Sequence, residues 1–241
     1  MLLQLAAQLL WPARCAACNT FVPEDRAFCE SCELSVSAVE QACDGCGLPH
    51  AVDSDGKERR CHGCQASPLP FSRVWTVLAY GGATTQAVLH LKHGRRRHLA
   101  GPLGALLAPA LAAAIDGGVN ALCPVPLHPR RLRQRGFNQA LELLRVAEKL
   151  ARRPAARAAL VVPDGLRRMR DTPALGRESP ASRRRIVAGA FAVHRPQWVK
   201  GRRILLVDDV MTTGATLAEC AGVLLKAGAA EVQVVALARV A

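Results

Sequence analysis

Residues Arg203–Thr216, with the sequence RILLVDDVMTTGAT, decide the fold of this chain. The run from Ile204 to Val207 is apolar and short, which is typical of a buried strand, and the residues after Gly214 have the pattern of a helix. Two carboxylates, Asp208 and Asp209, follow the apolar run, and a threonine-rich turn leads into the helix. The segment therefore predicts a strand, a turn and a helix, with polar side chains at the carboxyl end of the strand.

The turn is suited to binding a phosphate group. Backbone N–H groups at a helix N-terminus lack intrahelical acceptors, and the helix dipole is positive there. Gly214 lets the backbone approach a ligand closely, and Thr212, Thr213 and Thr216 add hydroxyl donors. The alternative is a structural turn with two solvated acids and a threonine cap. We favour phosphate binding, because adjacent acids add a repulsion that a structural turn does not need.

Asp208 and Asp209 need other partners, because carboxylates repel phosphate. Ribose hydroxyls, or a divalent cation reached directly or through water, suit them. The segment resembles the phosphoribosyl pyrophosphate (PRPP) motif of type I phosphoribosyltransferases, in which two acids and a Thr/Gly-rich loop hold ribose 5-phosphate. The resemblance implies PRPP binding with magnesium. The residues expected to bind PRPP are Asp208, Asp209, Met211, Thr212, Thr213, Gly214, Ala215 and Thr216.

Composition indicates a globular protein with an anionic partner. The chain has 241 residues and is 50% hydrophobic, enough for one medium domain and a small module. Its formal charge is +13, from 32 basic and 19 acidic residues, which favours polyanions. Aromatic residues are only 4% of the chain, so we expect contact with phosphates rather than base stacking. Solvated arginine-rich faces remain the alternative for any single basic cluster.

Eight of the ten cysteines occur in four Cys-x-x-Cys pairs. Each pair places two thiolates on one side of a tight turn, so four pairs supply the ligands of two tetrahedral zinc ions. Sites made of four cysteines have no open position for water or substrate, and the zinc is therefore structural. The predicted ligands are Cys15, Cys18, Cys29, Cys32, Cys43, Cys46, Cys61 and Cys64.

The spacing leaves the pairing of these cysteines open between consecutive and interleaved sites. Consecutive sites cost less loop-closure entropy, and we favour them. Disulfides are an alternative only in an oxidising compartment. Residues 1–70 contain few large apolar side chains, so we expect a double zinc-ribbon module that folds around metal. The remaining cysteines, Cys123 and Cys220, are expected to be buried apolar residues.

Residues 71–241 are predicted to form an α/β domain, with a mostly parallel sheet flanked by helices. Ligands of such sheets bind at the carboxyl ends of the strands. Helices are expected over about 84–91, 99–115 and 138–151, and after Gly214. Strands are expected over 73–80, 121–125, 159–162, 190–193, 203–207 and 231–238.

A basic segment should lie at the same edge of the sheet. In residues 124–139, PVPLHPRRLRQRGFNQ, prolines stiffen the entry and four arginines follow, so we expect a rigid loop that holds pyrophosphate. His128 within it is interpreted as a structural hydrogen-bonding residue rather than an acid or base. The predicted anion contacts are Arg130, Arg131, Arg135 and Lys92.

The order of motifs resembles the ComF family over nearly the whole chain. The four cysteine pairs are followed by Tyr80, Leu91–Gly94, Val125–Arg131, Arg135–Gln139 and the acidic motif. The resemblance implies a type I phosphoribosyltransferase-like fold with an N-terminal double zinc ribbon. It also implies an association with DNA uptake in natural competence, and hence competence DNA-uptake proteins as partners.

The chain departs from that family between Thr172 and Phe191. This stretch corresponds to the loop that closes over PRPP in transferases, and Thr172 and Arg183 are its expected lid residues. The family's glutamine, leucine and asparagine are replaced by Leu175, Glu178 and Ile186. Two amide side chains that could contact a second substrate are thereby lost.

We therefore predict an accessory factor in DNA uptake that binds PRPP or ribose 5-phosphate with magnesium and contacts single-stranded DNA through its phosphates. The alternative is an active phosphoribosyltransferase with an unidentified acceptor, for which no aromatic clamp is evident in the sequence; a zinc-ribbon scaffold with a vestigial pocket is a third possibility. Whether the chain is an enzyme is left open.

The apolar start, residues 1–12, lacks a basic leader and is shorter than the about 20 residues of a membrane span. We expect no membrane span and a cytoplasmic location.

Overall fold

The computed structural model describes residues 12–23, 26–49, 60–93, 96–152, 158–173 and 179–241. Most of the apolar start of the chain, and the departures Leu175 and Glu178, lie outside these ranges. In the cysteine-rich module two short helices are present, α1 (Glu30–Glu33) and α2 (His62–Ala66). Each begins immediately after a cysteine of one Cys-x-x-Cys pair, so it completes a metal-binding knuckle.

A five-stranded parallel sheet forms the centre of the second domain, and its strand order is β1-β7-β6-β2-β3. A separate antiparallel hairpin pairs β4 with β5. The prediction of a mostly parallel sheet is confirmed. The strands are β1 (Val74–Ala79), β2 (Ala121–Pro124), β3 (Leu160–Val161), β4 (Leu166–Arg168), β5 (Phe191–Val193), β6 (Arg203–Met211) and β7 (Glu231–Arg239).

Helices cover both faces of the sheet. The cluster that contains Leu205 and Val207 of β6 packs on α3, α4 and α6, and the cluster that contains Ile204 and Leu206 packs on α8 and β5. Because strand residues alternate between faces, Asp209 continues the first row and Asp208 the second. The helices are α3 (Gly82–His93), α4 (Ala100–Asp116), α5 (Pro129–Arg135), α6 (Gln139–Ala151), α7 (Pro180–Val187) and α8 (Ala215–Lys226).

The structure corrects three sequence predictions. Strand β6 does not end at Val207: its pairing with β7 continues to Met211, so both acids lie within the strand. The basic segment is not a loop but contains α5, because Pro129 suits the first helical turn and Gly136, at φ 85°, ends the helix. The strand near Phe191 belongs to the hairpin and not to the parallel sheet.

One helical segment, Arg97–Asp116, is long and apolar enough to cross a membrane by length and composition, with a mean hydropathy of 1.6. The sequence analysis predicted a helix over residues 99–115 but did not identify it as a candidate membrane span. Leu103, Leu107 and Leu111 on α4 are fully buried in the core shared with α6 and the sheet. Its apolar composition is therefore that of a core helix in this domain.

The cysteine-rich module packs directly on the sheet domain. Residues 37–39 run beside the edge strand β1: Ala79 N–H donates to the Ser37 carbonyl at 2.8 Å, and Val39 N–H donates to the Val77 carbonyl at 2.9 Å. On α3, His90 Nδ1 lies 3.0 Å from the Ala16 carbonyl of the first knuckle. The two parts of the chain thus share hydrogen bonds as well as an apolar core.

Candidate functional site

Two clusters of four cysteines occupy the cysteine-rich module. Their Sγ atoms lie within 4.8 Å of one another in each cluster, and both clusters join consecutive pairs, as the ribbon arrangement predicts. Cys18 Sγ is 3.6 Å from Cys29 Sγ, and Cys46 Sγ is 3.8 Å from Cys61 Sγ. Zinc–sulfur bonds of about 2.3 Å give tetrahedral edges of about 3.8 Å, so both clusters fit zinc.

Backbone N–H groups support the second cluster. Cys43 Sγ accepts hydrogen bonds from Gly45 N–H at 3.3 Å and from Cys61 N–H at 3.2 Å. Such bonds stabilise a thiolate and fix its direction toward a metal ion. With four sulfur ligands each, the two clusters would hold zinc without an open position, which makes them structural sites.

The two remaining cysteines lie inside the sheet domain. Cys123 on β2 and Cys220 on α8 are fully buried, as expected for small apolar residues. Burial raises the pKa of the Cys123 thiol to about 12, and it raises the pKa of Cys220 as well. Both side chains are therefore thiols at neutral pH and not nucleophiles.

The turn between β6 and α8 keeps a hydroxyl without a partner. Thr213 Oγ1 is buried and has no hydrogen-bond partner among the described residues. Gly214 has φ 77°, and a Cβ there would lie 2.8 Å from Met211 Cε. A buried unsatisfied hydroxyl is costly in a protein without a ligand, so the turn has the donor chemistry of a phosphate site.

Asp209 is the most buried acid at this edge, with 3% of its surface exposed. Its Oδ2 lies 3.1 Å from Lys92 Nζ at the end of α3, yet the contact lacks hydrogen-bond geometry and Oδ2 has no hydrogen-bond partner among the described residues. Lys92, which we expected to contact an anion, therefore pairs with the acid motif itself.

Asp208 projects to the opposite face of β6 and is partly exposed. Burial of its carboxyl, together with the negative charge of Asp209, raises the pKa of Asp208 to about 8. Its Oδ1 accepts a hydrogen bond from the Asp209 N–H at 2.9 Å. A neutral carboxyl that becomes an anion near pH 8 is suited to sugar hydroxyls, since it can donate or accept a hydrogen bond.

Helix α5 directs its arginines to different places. His128 caps the helix, since its Nδ1 accepts from Arg130 N–H at 3.3 Å, in agreement with a structural role. Arg130 is mostly exposed, and its Nη1 donates to Asp171 Oδ2 at 3.3 Å. Arg131 Nη2 donates to the Thr172 carbonyl at 2.6 Å. Of this pair only Arg131 borders the cavity described below.

Arg135 borders the cavity together with the acids and bonds to a buried glutamine. Its Nη1 donates to Gln139 Oε1 at 2.5 Å, and Gln139 is 5% exposed. Burial lowers the pKa of Arg135, while the negative charges of Asp209 and Asp208 raise it. Sequence reasoning did not identify Gln139 as a site residue, although its place one turn after Arg135 was a signal for the contact.

Arg168 on β4 is a further site residue that sequence reasoning missed. It is 8% exposed and donates to the hydroxyl of Thr172. Thr172, expected in a lid, is itself 3% exposed and joins Arg168 to Arg131. The other expected lid residue, Arg183, lies on α7 and borders the cavity. The alternation of β4, with Arg167 outside and Arg168 inside, was not recognisable in so short a charged run.

These elements enclose one cavity of about 760 Å³ at the carboxyl edge of the sheet. The size is that of a small-molecule site. Its wall combines both acids, two threonines, several cations and an apolar side that includes Tyr80 and Leu89. The lining residues are Tyr80, Leu89, Lys92, His93, Val125, Pro126, Leu127, Arg131, Gln134, Arg135, Gln139, Arg168, Pro173, Arg183, Asp208, Asp209, Val210, Thr212 and Thr216.

A buried arginine connects this edge with the second cysteine cluster. Arg239 on β7 is 7% exposed; its Nε donates to the Cys46 carbonyl at 2.7 Å. Its Nη1 donates to the Met211 carbonyl at 3.4 Å, at the start of the threonine turn. One guanidinium therefore bonds a metal-binding knuckle and the carboxyl end of β6.

Comparison with known proteins agrees with this geometry. The family described as "Double zinc ribbon domain" matches residues 6–66, and the "Phosphoribosyl transferase domain" family matches residues 145–241. The chain is 34% identical to DNA utilization protein YhgH of Escherichia coli K12 over 217 residues, 88% of this chain and 89% of the relative. The Salmonella typhimurium protein of that name is 35% identical over the same shares. Competence protein F of Haemophilus influenzae is 39% identical over 124 residues, 49% of this chain and 50% of the relative.

Proposed function

Because the chain belongs to the ComF family, which joins a double zinc ribbon to a phosphoribosyltransferase domain, we propose that it binds PRPP or ribose 5-phosphate and serves as an accessory factor in DNA uptake. The observation that carries the proposal is the threonine turn. There Thr213 keeps a buried hydroxyl without a partner beside Gly214, at the N-terminus of α8. A 5-phosphate would supply the missing acceptor.

The position of the two acids is consistent with a pentose bound next to that phosphate. Asp208 and Asp209 both border the cavity, on opposite faces of β6, so one ligand at the strand edge can reach both carboxyls. The unbonded Oδ2 of Asp209 is suited to accept from a ribose hydroxyl. Magnesium prefers oxygen ligands and retains water, so the same acids with the ligand's phosphates would hold it.

Single-stranded DNA is the proposed macromolecular partner. The net charge of +13 favours a polyanion, and proteins that bear the name DNA utilization protein share the architecture. With few aromatic residues, the contacts would be made mainly to phosphates, and affinity would fall steeply with salt. Competence DNA-uptake proteins are the proposed protein partners, and the cytoplasm is the proposed location.

Titration calorimetry tests the sugar-phosphate proposal. PRPP and ribose 5-phosphate are titrated into the zinc-loaded protein with and without magnesium, and then into Asp208→Asn/Asp209→Asn. We expect the double variant to lose at least about tenfold in PRPP affinity while it remains folded, as judged by its circular dichroism spectrum and a cooperative melting transition. The matched control is Asp116→Asn, at the far end of α4. Equal PRPP affinity of the acid variant and the wild type would contradict the proposed pocket.

An active transferase is the second candidate, and the apolar wall of the cavity favours it. Tyr80 and Leu89 line the same space as the acids, whereas the sequence alone offered no surface for an acceptor. In that reaction the arginines at the cavity stabilise the leaving pyrophosphate. Incubation of the protein with PRPP, magnesium and a panel of nucleobases should release pyrophosphate. Intact PRPP after prolonged incubation leaves binding as the role.

A further inference from the structure

The outer face of the β4–β5 hairpin carries exposed arginines. On β4, Leu166 and Arg168 are buried, whereas Arg167 between them is exposed. Met169 continues the outer row and is 60% exposed, and Arg170, which follows it, is exposed as well. The hairpin therefore presents two cations and one apolar side chain to solvent.

Helix α7 extends this face. Its residues Arg184 and Arg185 are exposed. Arg170 Nη2 donates to the Ala188 carbonyl and, at 3.4 Å, to the Ile186 carbonyl, where α7 ends. A cation at a helix C-terminus interacts favourably with the helix dipole, so Arg170 holds α7 beside the hairpin. The two elements form a single arginine surface, which consists of Arg167, Met169, Arg170, Arg184 and Arg185.

The described acids near the arginine surface are engaged by other groups. Asp171 pairs with two arginines of α5 at 3.3 and 3.7 Å. Glu219 on α8 accepts a hydrogen bond from the Gly189 N–H at 2.7 Å, and Asp164 Oδ2 lies 3.5 Å from His194 Nδ1. These contacts direct the carboxylates away from the exposed guanidinium groups.

Three arginines of the surface keep their charge without a protein partner. No ion pair or hydrogen bond within the described ranges involves the side chains of Arg167, Arg184 and Arg185. Water satisfies a single exposed arginine, but here Arg170 adds a further cation beside them rather than an acid. Bound phosphates relieve this repulsion and release their own counterions, so the surface has the electrostatic character of a polyanion site.

The chemistry of the arginine surface fits a single strand of DNA. A guanidinium group can bond two phosphate oxygens at once. Met169, between Arg167 and Arg170, offers an apolar contact to base faces, which a single strand exposes and a duplex keeps stacked. Of the described residues on α7, Arg183 borders the cavity and the two exposed arginines do not. The surface is therefore adjacent to the cavity and separate from it.

We infer that the arginine surface binds the phosphate backbone of single-stranded DNA outside the sugar-phosphate cavity. This rests on the proposed function and deepens it, because it assigns the DNA partner to particular residues of the hairpin and α7. DNA and a sugar phosphate are then bound at the same time and do not compete.

Fluorescence anisotropy with a labelled oligothymidylate tests the surface on the zinc-loaded chain at a series of salt concentrations. Arg167→Gln/Arg184→Gln/Arg185→Gln should weaken binding by about tenfold or more. It should also reduce the slope of log affinity against log salt concentration by about two, since each phosphate contact to a single strand contributes about 0.7.

The matched control removes the same charge at the opposite edge of the sheet. Lys149→Gln/Lys200→Gln/Lys226→Gln changes exposed residues near the ends of α6 and α8 and before β6, so it should weaken DNA binding by less than about threefold. Met169→Ala keeps every charge and should weaken binding by about twofold or more at an unchanged salt slope. Circular dichroism checks that all variants are folded.

Excess ribose 5-phosphate should not displace the oligothymidylate, and the arginine variant should bind ribose 5-phosphate as the wild type does. Displacement, or equal DNA affinity of the arginine and lysine variants, would overturn the arginine surface while the proposed sugar-phosphate function stands. A Met169→Ala protein that equals the wild type would overturn the assignment to a single strand in favour of any polyphosphate chain. A wild type that binds ribose 5-phosphate but no oligothymidylate would reject the DNA partner together with the surface.

Discussion

Lys92 Nζ lies 3.1 Å from Asp209 Oδ2, which connects the end of α3 to the carboxyl edge of β6. Two residues earlier on the same helix, His90 contacts the first cysteine knuckle through the Ala16 carbonyl. A single helix thus touches the zinc module and the acid motif. The pair also places a cation where the proposed ligand or magnesium would meet Asp209, so we expect binding of that ligand to rearrange the pair.

Removal of Lys92 should expose how much this pair stabilises the fold. Lys92→Met keeps the aliphatic stem but leaves Asp209 buried without a cation, and we expect a loss of about 1–3 kcal/mol in the free energy of unfolding. Asp209→Asn in the same chain should restore most of it, since no buried charge remains. Urea denaturation of the two single variants and the double variant gives the coupling energy. Independent effects of the two substitutions would show that the pair does not stabilise the protein.

The raised pKa of Asp208 predicts a pH-dependent stability of the ligand-free protein. The folded state holds its proton up to about pH 8, whereas the unfolded state releases it near the ordinary value of 3.8. The folded state therefore binds more protons between these values, and this residue makes stability fall as pH rises through that window. Asp208→Asn should be more stable than the wild type by a margin that grows by more than about 1 kcal/mol from pH 5 to pH 8. Glu40→Gln, at an exposed acid, is the control variant; a margin for Asp208→Asn that does not change with pH would contradict the raised pKa.

Substitution of a cluster cysteine should lower the zinc content, whereas substitution of a core cysteine of the sheet domain should not. Cys43→Ser removes one ligand of the second cluster, so we expect about one zinc ion per chain instead of two and a lower melting temperature. Cys123→Ala lies in the core of β2 and should retain both ions. Inductively coupled plasma mass spectrometry of the purified variants measures their zinc content. Two zinc ions in Cys43→Ser, or one in Cys123→Ala, would contradict the assignment of the clusters.

Gly214 and Gly222 offer a matched comparison at the proposed phosphate-binding turn. Gly214→Ala must adopt φ 77° and place Cβ 2.8 Å from Met211 Cε, so we expect about 1–2 kcal/mol of destabilisation and weaker ribose 5-phosphate binding. Gly222 lies within α8, where a Cβ would have no neighbour within 4 Å, and alanine there should stabilise the protein by up to about 1 kcal/mol. Thermal denaturation and calorimetry measure both effects. A Gly214→Ala protein that binds ribose 5-phosphate normally would show that the turn is not the phosphate site.

The sequence was sufficient where the signal is local. The order strand, threonine turn and helix around Gly214 followed from apolar runs and one glycine. The consecutive cysteine sites, which the spacing left open, were favoured by the lower entropy cost of closing short loops. The predicted end of β6 at Val207 was wrong, because the prediction assumed that charged residues seldom continue a buried strand. Here the ladder to β7, through the pair Met211 and Arg239, overrides that preference.

The rest of the site depends on contacts between residues that are distant in the chain. Asp209 is paired with Lys92 across the fold, and Arg168 reaches the cavity only because the β4–β5 hairpin packs against α8. No periodicity encodes either contact. Helix α5 is a different case, since Pro129 and Gly136 were helix boundary signals that the arginine run obscured.

Arg239 couples the threonine turn to the second cysteine cluster, and hence to the supply of zinc. Its guanidinium bonds the Cys46 carbonyl on one side and the Met211 carbonyl on the other, so a second cluster emptied by starvation or oxidation loosens the anchor beneath the threonine turn. A chain short of metal would then bind the proposed sugar phosphate more weakly, although every residue of the cavity is intact.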